Sequence, residues 1–93
     1  NTMNQANVSY QIMEYVLEDE AIFTIELQNN SDQIAFFLEM FLKDEATNNT
    51  ILPVIWEDNY ISLLPHEKRS IKARVSHEYL KNKKAVLRIS SFH

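Results

Sequence analysis

The sequence contains neither cysteine nor glycine among its 93 residues. Without cysteine, the chain can form no disulfide, no thiolate zinc site and no cysteine nucleophile. Without glycine, it lacks the phosphate-binding loop and the dinucleotide fingerprint, because both need backbone conformations that glycine adopts most freely. These absences exclude P-loop, dinucleotide-binding and thiol-dependent functions.

Basic residues and long apolar runs are also scarce. The chain has 9 Lys and Arg against 13 Asp and Glu, and its formal net charge is -4. A nucleic-acid surface needs a surplus of basic side chains, and a membrane-spanning helix needs roughly 20 apolar residues in a row. We therefore expect no nucleic-acid partner and no membrane span. A chain this short is expected to form one domain, residues 1–93, around one core.

Apolar and polar residues alternate with a period of two along most of the chain, which is typical of half-buried strands. In residues 21–28 the alternation places Phe23, Ile25 and Leu27 on one face. Further segments predicted as strands are residues 8–12, 34–43, 51–55, 59–64, 70–75 and 85–90. About seven short strands predict an all-β, immunoglobulin-like antiparallel sandwich. A helix over residues 34–43 is the alternative, because that segment is rich in good helix formers.

Residues 34–43 carry apolar side chains on both faces of the predicted strand. One face contains Ile34, Phe36, Leu38, Met40 and Leu42, and the other contains Ala35, Phe37, Glu39 and Phe41. A monomeric sandwich seldom leaves two phenylalanines on its solvent side, so we predict that a partner covers Phe37 and Phe41. These two residues form the predicted domain-docking surface.

The connecting segments are rich in Asn and Asp, which tolerate left-handed backbone and can replace glycine in turns. This applies to residues 29–32 and 44–50, and a further turn is predicted at 65–68. Three Asn-x-Ser/Thr matches begin at Asn7, Asn29 and Asn48, and we interpret them first as turn chemistry. Pro53 places its segment at a sheet edge or a bulge, and residues 78–80 favour one helical turn.

The titratable residues form no recognisable catalytic or metal-binding pattern. The acidic run 18–20 lacks the spaced ligands and the glycine of a calcium loop, and the three histidines at 66, 77 and 93 are scattered. Glu57 and Asp58 are adjacent, with no evident cleft to share as a catalytic carboxylate pair. We expect no catalytic residue, no metal site and no cofactor.

Two readings remain open for the aromatic and corner residues. Trp56, Tyr60 and Phe92 could stack on sugar rings, but large aromatic side chains more often fill cores and interfaces, and we favour that interpretation. In the segment Asp58-Asn59-Tyr60, Asp and Asn can bond nearby backbone amides at a tight corner. Trp56, Asp58, Asn59 and Tyr60 are therefore candidates for a structural corner or, alternatively, a sugar contact.

Two stretches resemble a known family: NNSDQIAFF at residues 29–37 and LPVIWEDNYISLLPHE at residues 52–67. They are similar to the immunoglobulin-like C-terminal domain of glycoside hydrolase family 2 enzymes, in the exo-β-D-glucosaminidase and β-mannosidase group. His66 stands where the family usually has glycine, which implies a turn that accepts a side chain. Residues 89–93 depart from the Gly-Trp-Asn-like close that is frequent in the family.

The resemblance implies a non-catalytic role for this chain. The catalytic glutamates of those multidomain enzymes lie in a (β/α)8 barrel of about 250 residues, so neither can be transferred to a position here. The implied function is an accessory domain that packs against the other domains of its parent glycoside hydrolase, and the implied location is periplasmic or secreted. The alternative is an independent module that binds carbohydrate or protein.

Overall fold

The chain forms seven strands and one short 3₁₀ turn in a computed structural model that describes residues 7–91. The elements are β1 (Val8–Val16), β2 (Glu20–Asn29), β3 (Ala35–Asp44), β4 (Ile55–Trp56), β5 (Ile61–Leu63), β6 (Lys68–Ser76), the 3₁₀ turn (His77–Tyr79) and β7 (Ala85–Ser91). The prediction of an all-β fold with seven strands is confirmed, and the helical alternative for residues 34–43 is wrong.

The strands form two antiparallel sheets that pack face to face. The four-stranded sheet has the order β1-β2-β6-β4, and the three-stranded sheet has the order β5-β3-β7. A hydrogen bond of 3.3 Å from the Tyr10 hydroxyl to the Leu87 carbonyl joins β1 to β7 at one side of the sandwich. This arrangement confirms the immunoglobulin-like antiparallel sandwich.

The core lies between the sheets and follows the predicted alternation. Phe23, Ile25 and Leu27 of β2 are buried, and Ile71 of β6 is the direct partner of Ile25. Burial of each such side chain stabilises the fold by about 1.5–3 kcal/mol. The other buried apolar residues are Ala21, Ala35, Leu38, Met40, Leu42, Ile51, Ile61, Leu63, Ala73, Val75 and Leu87.

The start of β3 departs from the predicted alternation because it contains a bulge. Ala35 pairs with Leu63 and Leu38 pairs with Ile61, so Phe36 and Phe37 together oppose Ser62. An extra residue on one strand reverses the side-chain alternation beyond it. Ala35 is therefore buried while Phe36 is exposed. The prediction that Ile34 and Phe36 share the inward face of Leu38 is wrong.

The two strands that follow β3, which are β4 and β5, are shorter than predicted. Residues 51–55 were expected to form one strand, but only Ile55–Trp56 forms β4, and Thr50 makes a single bridge with Lys43. Pro53 has no backbone N–H to donate to a ladder, and it follows a cis peptide bond. Ile55 is the one residue of the predicted segment that lies in a strand, and that strand, β4, is the edge of its sheet, while Pro53 lies outside it. The next strand is limited to Ile61–Leu63.

The turn at residues 44–50 uses a left-handed residue, as the sequence predicts, whereas no residue of 29–32 has a positive φ angle. Asn48, His66 and Asn82 have φ angles of 61°, 63° and 58°. The expectation of a turn that accepts a side chain at position 66 is confirmed, and so is the helical turn near residues 78–80. Within residues 7–91, no helix is long and apolar enough to cross a membrane.

Candidate docking site at the β3–β5 edge

A buried asparagine holds together the end of the sandwich where β2, β3 and β5 meet. The Asn29 side chain is fully buried. Its Nδ2 donates to the carbonyl oxygens of Gln33, Leu63 and Leu64 at 2.6, 3.3 and 3.2 Å. Its Oδ1 accepts from the backbone N–H and the hydroxyl of Ser31 at 3.0 and 2.8 Å. The sequence indicates Asn29 only as a turn residue, since no local pattern marks an asparagine as buried.

A second asparagine extends the pairing between β3 and β5. The Oδ1 of Asn59 accepts the Met40 N–H at 2.8 Å, and its Nδ2 donates to the Met40 carbonyl at 3.1 Å. The same Oδ1 accepts the Tyr60 N–H at 2.7 Å. The primary amide of Asn59 therefore takes the place of a backbone partner for β3. The adjacent Asp58 accepts the Asn59 N–H at 2.9 Å.

Above this corner, exposed aromatic rings lie against one another. The rings of Phe37 and Tyr60 are stacked with centroids 5.7 Å apart and planes at 23°. The ring centroids of Phe36 and Phe37 lie 5.9 Å apart. Ile34 and Leu64 flank this edge, since they stand next to the paired residues Ala35 and Leu63. We call the five exposed side chains the end patch: Ile34, Phe36, Phe37, Tyr60 and Leu64.

Backbone strain accompanies the outward orientation of the two stacked rings. Phe37 and Tyr60 have φ angles of 52° and 61°, a region that costs a residue with a Cβ roughly 1–2 kcal/mol. Local hydrogen bonds stabilise this backbone conformation. The Phe37 N–H donates to the Ser62 hydroxyl at 3.0 Å, and the Tyr60 N–H donates to the side chain of Asn59. Neither ring contributes to the buried core. Strain without a core contribution points to a function for these rings.

The turn below Leu64 is stabilised by the carboxylate of Glu67. Its Oε1 accepts the Leu64 N–H at 2.8 Å, and its Oε2 accepts from the Arg69 guanidinium at 2.9 Å. The Leu64 N–H, and secondly Arg69, lower the pKa of Glu67 below its ordinary value. The ionised form of Glu67 therefore fixes the backbone that carries one edge of the end patch.

The remaining predicted site residues take other positions. Phe41 is half-buried on the outer face of β3, where it is the cross-strand partner of Arg88. Trp56 is half-buried and packs against the core. The structure thus brings Phe37 and Tyr60 together and places Trp56 elsewhere, and Phe92 lies outside the described residues. The sequence pattern did not indicate Ile34, Phe36 and Leu64 as site residues, and the adjacent Phe36-Phe37 pair is the signal that could have indicated a bulge.

Neither of two surface depressions on residues 7–91 brings two carboxylates together. One depression is lined by Tyr10, Gln28 and Lys68 and has Glu26 as its carboxylate. Another is lined by Phe23, His77 and Lys84 and has Glu14. Glycoside hydrolysis uses two carboxyl groups that face each other across the bond to be broken. Residues 7–91 also contain no group of three His, Cys, Asp or Glu that could hold a metal ion.

Comparison with known proteins identifies similar chains. The family described as the exo-beta-D-glucosaminidase Ig-fold domain matches residues 1–93. The exo-beta-D-glucosaminidase of Arthroderma benhamiae is 48% identical over 44 residues, which are 47% of this chain and 5% of the relative. That of Hypocrea jecorina is 41% identical over 49 residues, which are 53% of this chain and 5% of the relative.

A solved structure has the same fold. The crystal structure of the exo-chitosanase CsxA from Amycolatopsis orientalis superposes with a TM-score of 0.86 at 30% identity, over 94% of this chain and 10% of CsxA. The matched region is therefore a small part of each larger enzyme. With the family matched over the full sequence and the sandwich reproduced in CsxA, the chain belongs to the Ig-fold domain family of exo-beta-D-glucosaminidases.

Proposed function

We propose that residues 1–93 form one accessory, non-catalytic domain of a larger glycoside hydrolase of family 2, and that the end patch docks it against the rest of the polypeptide. The matched relatives are much longer than this chain, which spans 5% of the fungal enzymes and 10% of CsxA. A barrel that carries a catalytic pair needs about 250 residues. The chemistry of the parent enzyme therefore belongs to other segments.

The observation that carries the proposal is the strained, exposed stack of Phe37 on Tyr60. Aromatic side chains are enriched at protein interfaces, because they bury a large area at a small cost in side-chain entropy. A contiguous exposed apolar patch on a small domain marks an interaction site. Other domains of the same polypeptide are the partners with the highest local concentration.

The parent is proposed to be an exo-β-D-glucosaminidase. Both relatives carry that description, and CsxA is described as an exo-chitosanase. A β-mannosidase parent is the alternative within the same group of enzymes. Release of glucosamine or of mannose by the purified parent enzyme, measured on matched aryl glycosides, distinguishes the two.

Docking is tested in the parent enzyme with Phe37→Ser combined with Tyr60→Ser. Removal of the stack is expected to increase proteolysis around this domain by about tenfold, because local opening exposes the cleavage sites. Tyr79→Ser is the matched control, since Tyr79 is a partly exposed tyrosine in the 3₁₀ turn at the other end of the sandwich. Unchanged proteolysis in the double variant would contradict the proposal.

Carbohydrate binding is the second candidate, and the exposed aromatic stack is the observation that favours it. Stacked rings on a surface also suit the apolar face of a sugar ring. The test is calorimetric titration of the chain with glucosamine oligosaccharides, together with Tyr60→Ala and Trp56→Ala. Sub-millimolar binding that is lost in Tyr60→Ala would replace docking as the function of Tyr60, and binding that is lost in Trp56→Ala would assign a sugar contact to Trp56.

A further inference from the structure

A second apolar surface lies on the outer face of the four-stranded sheet. The strand registers place Tyr15 beside Ile22, Ile22 beside Arg74, and Arg74 beside Ile55. These four residues form one row across all four strands, about 14 Å long because neighbouring strands lie about 4.8 Å apart. Met13 stands beside the row on β1. We call Met13, Tyr15, Ile22, Ile55 and Arg74 the cross-strand row.

The apolar side chains of the cross-strand row are more exposed than is usual for large apolar residues. Tyr15 and Ile55 are each 67% exposed, and Met13 is 55% exposed. They lie at the two edges of the sheet, β1 and β4. The other half of the same outer face is polar, since Gln11 pairs with Glu26 and Gln28 pairs with Lys68. The apolar side chains are therefore concentrated at the end of the sheet that contains the β1–β2 turn.

Arg74 sits at the centre of the row in a fixed position. Its Nε and Nη2 donate to the two carboxylate oxygens of Glu20 at 3.1 and 2.9 Å. A two-point contact of this kind orients the guanidinium and holds it on the sheet. Tyr, Met and Arg are among the residue types that are enriched at the centre of protein interfaces.

We propose that the cross-strand row docks against a second neighbouring domain of the same polypeptide. This inference rests on the proposed function, and it adds a second surface. The row and the end patch belong to different sheets and to opposite ends of the sandwich, because the row adjoins the β1–β2 turn and the patch adjoins Asn29, the last residue of β2. One flat neighbour cannot cover both surfaces. The domain is held between two neighbours.

The occupant follows from the size of the relatives. The matched enzymes extend far beyond this domain, which covers 5–10% of their length. Interfaces between domains of one chain typically bury 600–1,500 Å² and combine apolar with charged contacts. The row has this mixed character. A domain of the same chain also docks at high effective concentration, whereas a second copy must be recruited from solution.

The absence of native cysteine from this chain gives a direct test in the full-length polypeptide. Tyr15→Cys and Ile55→Cys are introduced one at a time, and alkylation of each peptide by a small maleimide is followed by mass spectrometry. Gln11→Cys is the matched control, because Gln11 is an exposed residue on the same strand and face as Tyr15. The replaced side chains are mostly exposed, so the sandwich is expected to fold in every variant.

Alkylation at positions 15 and 55 is expected to be at least about tenfold slower than at position 11, as for groups that react only after local opening. Equal rates at all three positions would overturn the inference. Protection that disappears on dilution would assign the surface to a second copy and would also overturn it. Leu64→Cys reports separately on the end patch, so failure of the row and failure of the proposed function give different results.

Discussion

The side-chain amide of Asn59 pairs with both backbone groups of Met40, at 2.8 Å to its N–H and 3.1 Å from its carbonyl. Leu38 pairs with Ile61 in the register of β3 and β5. Two residues further along, the Asn59 side chain bonds Met40 where that register would place the Asn59 backbone. The side-chain amide of Asn59 therefore makes the two hydrogen bonds that the backbone of a strand residue would make. This arrangement leaves the backbone of Asn59 free to turn and to present Tyr60 at the surface.

Asn59→Ala is expected to lower the free energy of unfolding by about 2 kcal/mol, because two partly buried backbone groups of Met40 lose their partners. Urea denaturation of the chain measures the change. Asp58→Ala is the control: Asp58 makes one exposed hydrogen bond, to the Asn59 N–H, and its loss should cost less than about 1 kcal/mol. Equal effects of the two variants would contradict the role assigned to the Asn59 amide.

Asn29→Ala is expected to be the more severe change, with a loss of about 3 kcal/mol or more, since it removes a buried group with five hydrogen bonds. A domain of this size has only about 5–14 kcal/mol of stability in total. Asn30→Ala is the neighbouring control, because Asn30 is exposed and its side chain bonds only Ser9. A mild effect at Asn29, similar to that at Asn30, would show that this corner does not depend on the buried amide.

His66→Gly is expected to stabilise the chain by about 0.5–1 kcal/mol. Glycine relieves a left-handed strain of roughly 1–2 kcal/mol and adds a smaller entropic cost in the unfolded chain. His66 also contacts Asp32 at 2.8 Å on the surface. His66→Ala removes that contact but keeps the strain, so it should not stabilise. If thermal unfolding shows the same gain for both variants, strain at position 66 is not the cause.

Stability is expected to fall with pH below about 4.5, the ordinary value for a glutamate. The pKa of Glu67 is lowered by the Leu64 N–H and Arg69, and that of Glu20 by its hydrogen bonds to Arg74. A carboxyl group whose pKa is lower in the folded state binds fewer protons there than in the unfolded chain. Its contribution is therefore complete above the unfolded value and is lost as the pH falls through the folded value.

Glu67→Gln isolates this effect, because the amide oxygen can still accept the Leu64 N–H while the group no longer titrates. Below pH 4.5, the slope of the unfolding free energy against pH should be shallower in this variant than in the unsubstituted chain. Arg69→Gln should produce a smaller change, since the Leu64 hydrogen bond remains. A slope that is unchanged in Glu67→Gln would contradict the role given to that carboxylate.

Most of the fold could be predicted from alternation, because a core between two sheets requires inward apolar residues at every second position. This holds for Phe23, Ile25 and Leu27, and equally for Ile71, Ala73 and Val75. The alternation fails at Phe36-Phe37, where two residues oppose Ser62. A bulge depends on the partner strand, and the partner is not visible in the sequence of β3 alone.

The candidate site could be predicted only in part for the same reason. Phe37 was identified because two phenylalanines were placed on an outer face, and Tyr60 because it follows an Asp-Asn corner. Their stacking depends on the bulge and on two left-handed residues, both of which are set by long-range pairing. The predicted roles of Phe41, Trp56, Asp58 and Asn59 in docking or sugar contact stay predictions.

Hydroxyl-radical footprinting of the full-length enzyme and of the 93-residue chain tests the central claim most directly. The rate of oxidation at Phe36, Phe37 and Tyr60 reports the solvent exposure of the end patch without any substitution. Tyr10, an exposed tyrosine that belongs to neither the end patch nor the cross-strand row, serves as the internal reference. If the patch docks within the polypeptide, the three patch residues should be oxidised several-fold more slowly in the full-length enzyme, with Tyr10 less affected. Equal oxidation of the three rings in the full-length enzyme and in the chain would contradict the account.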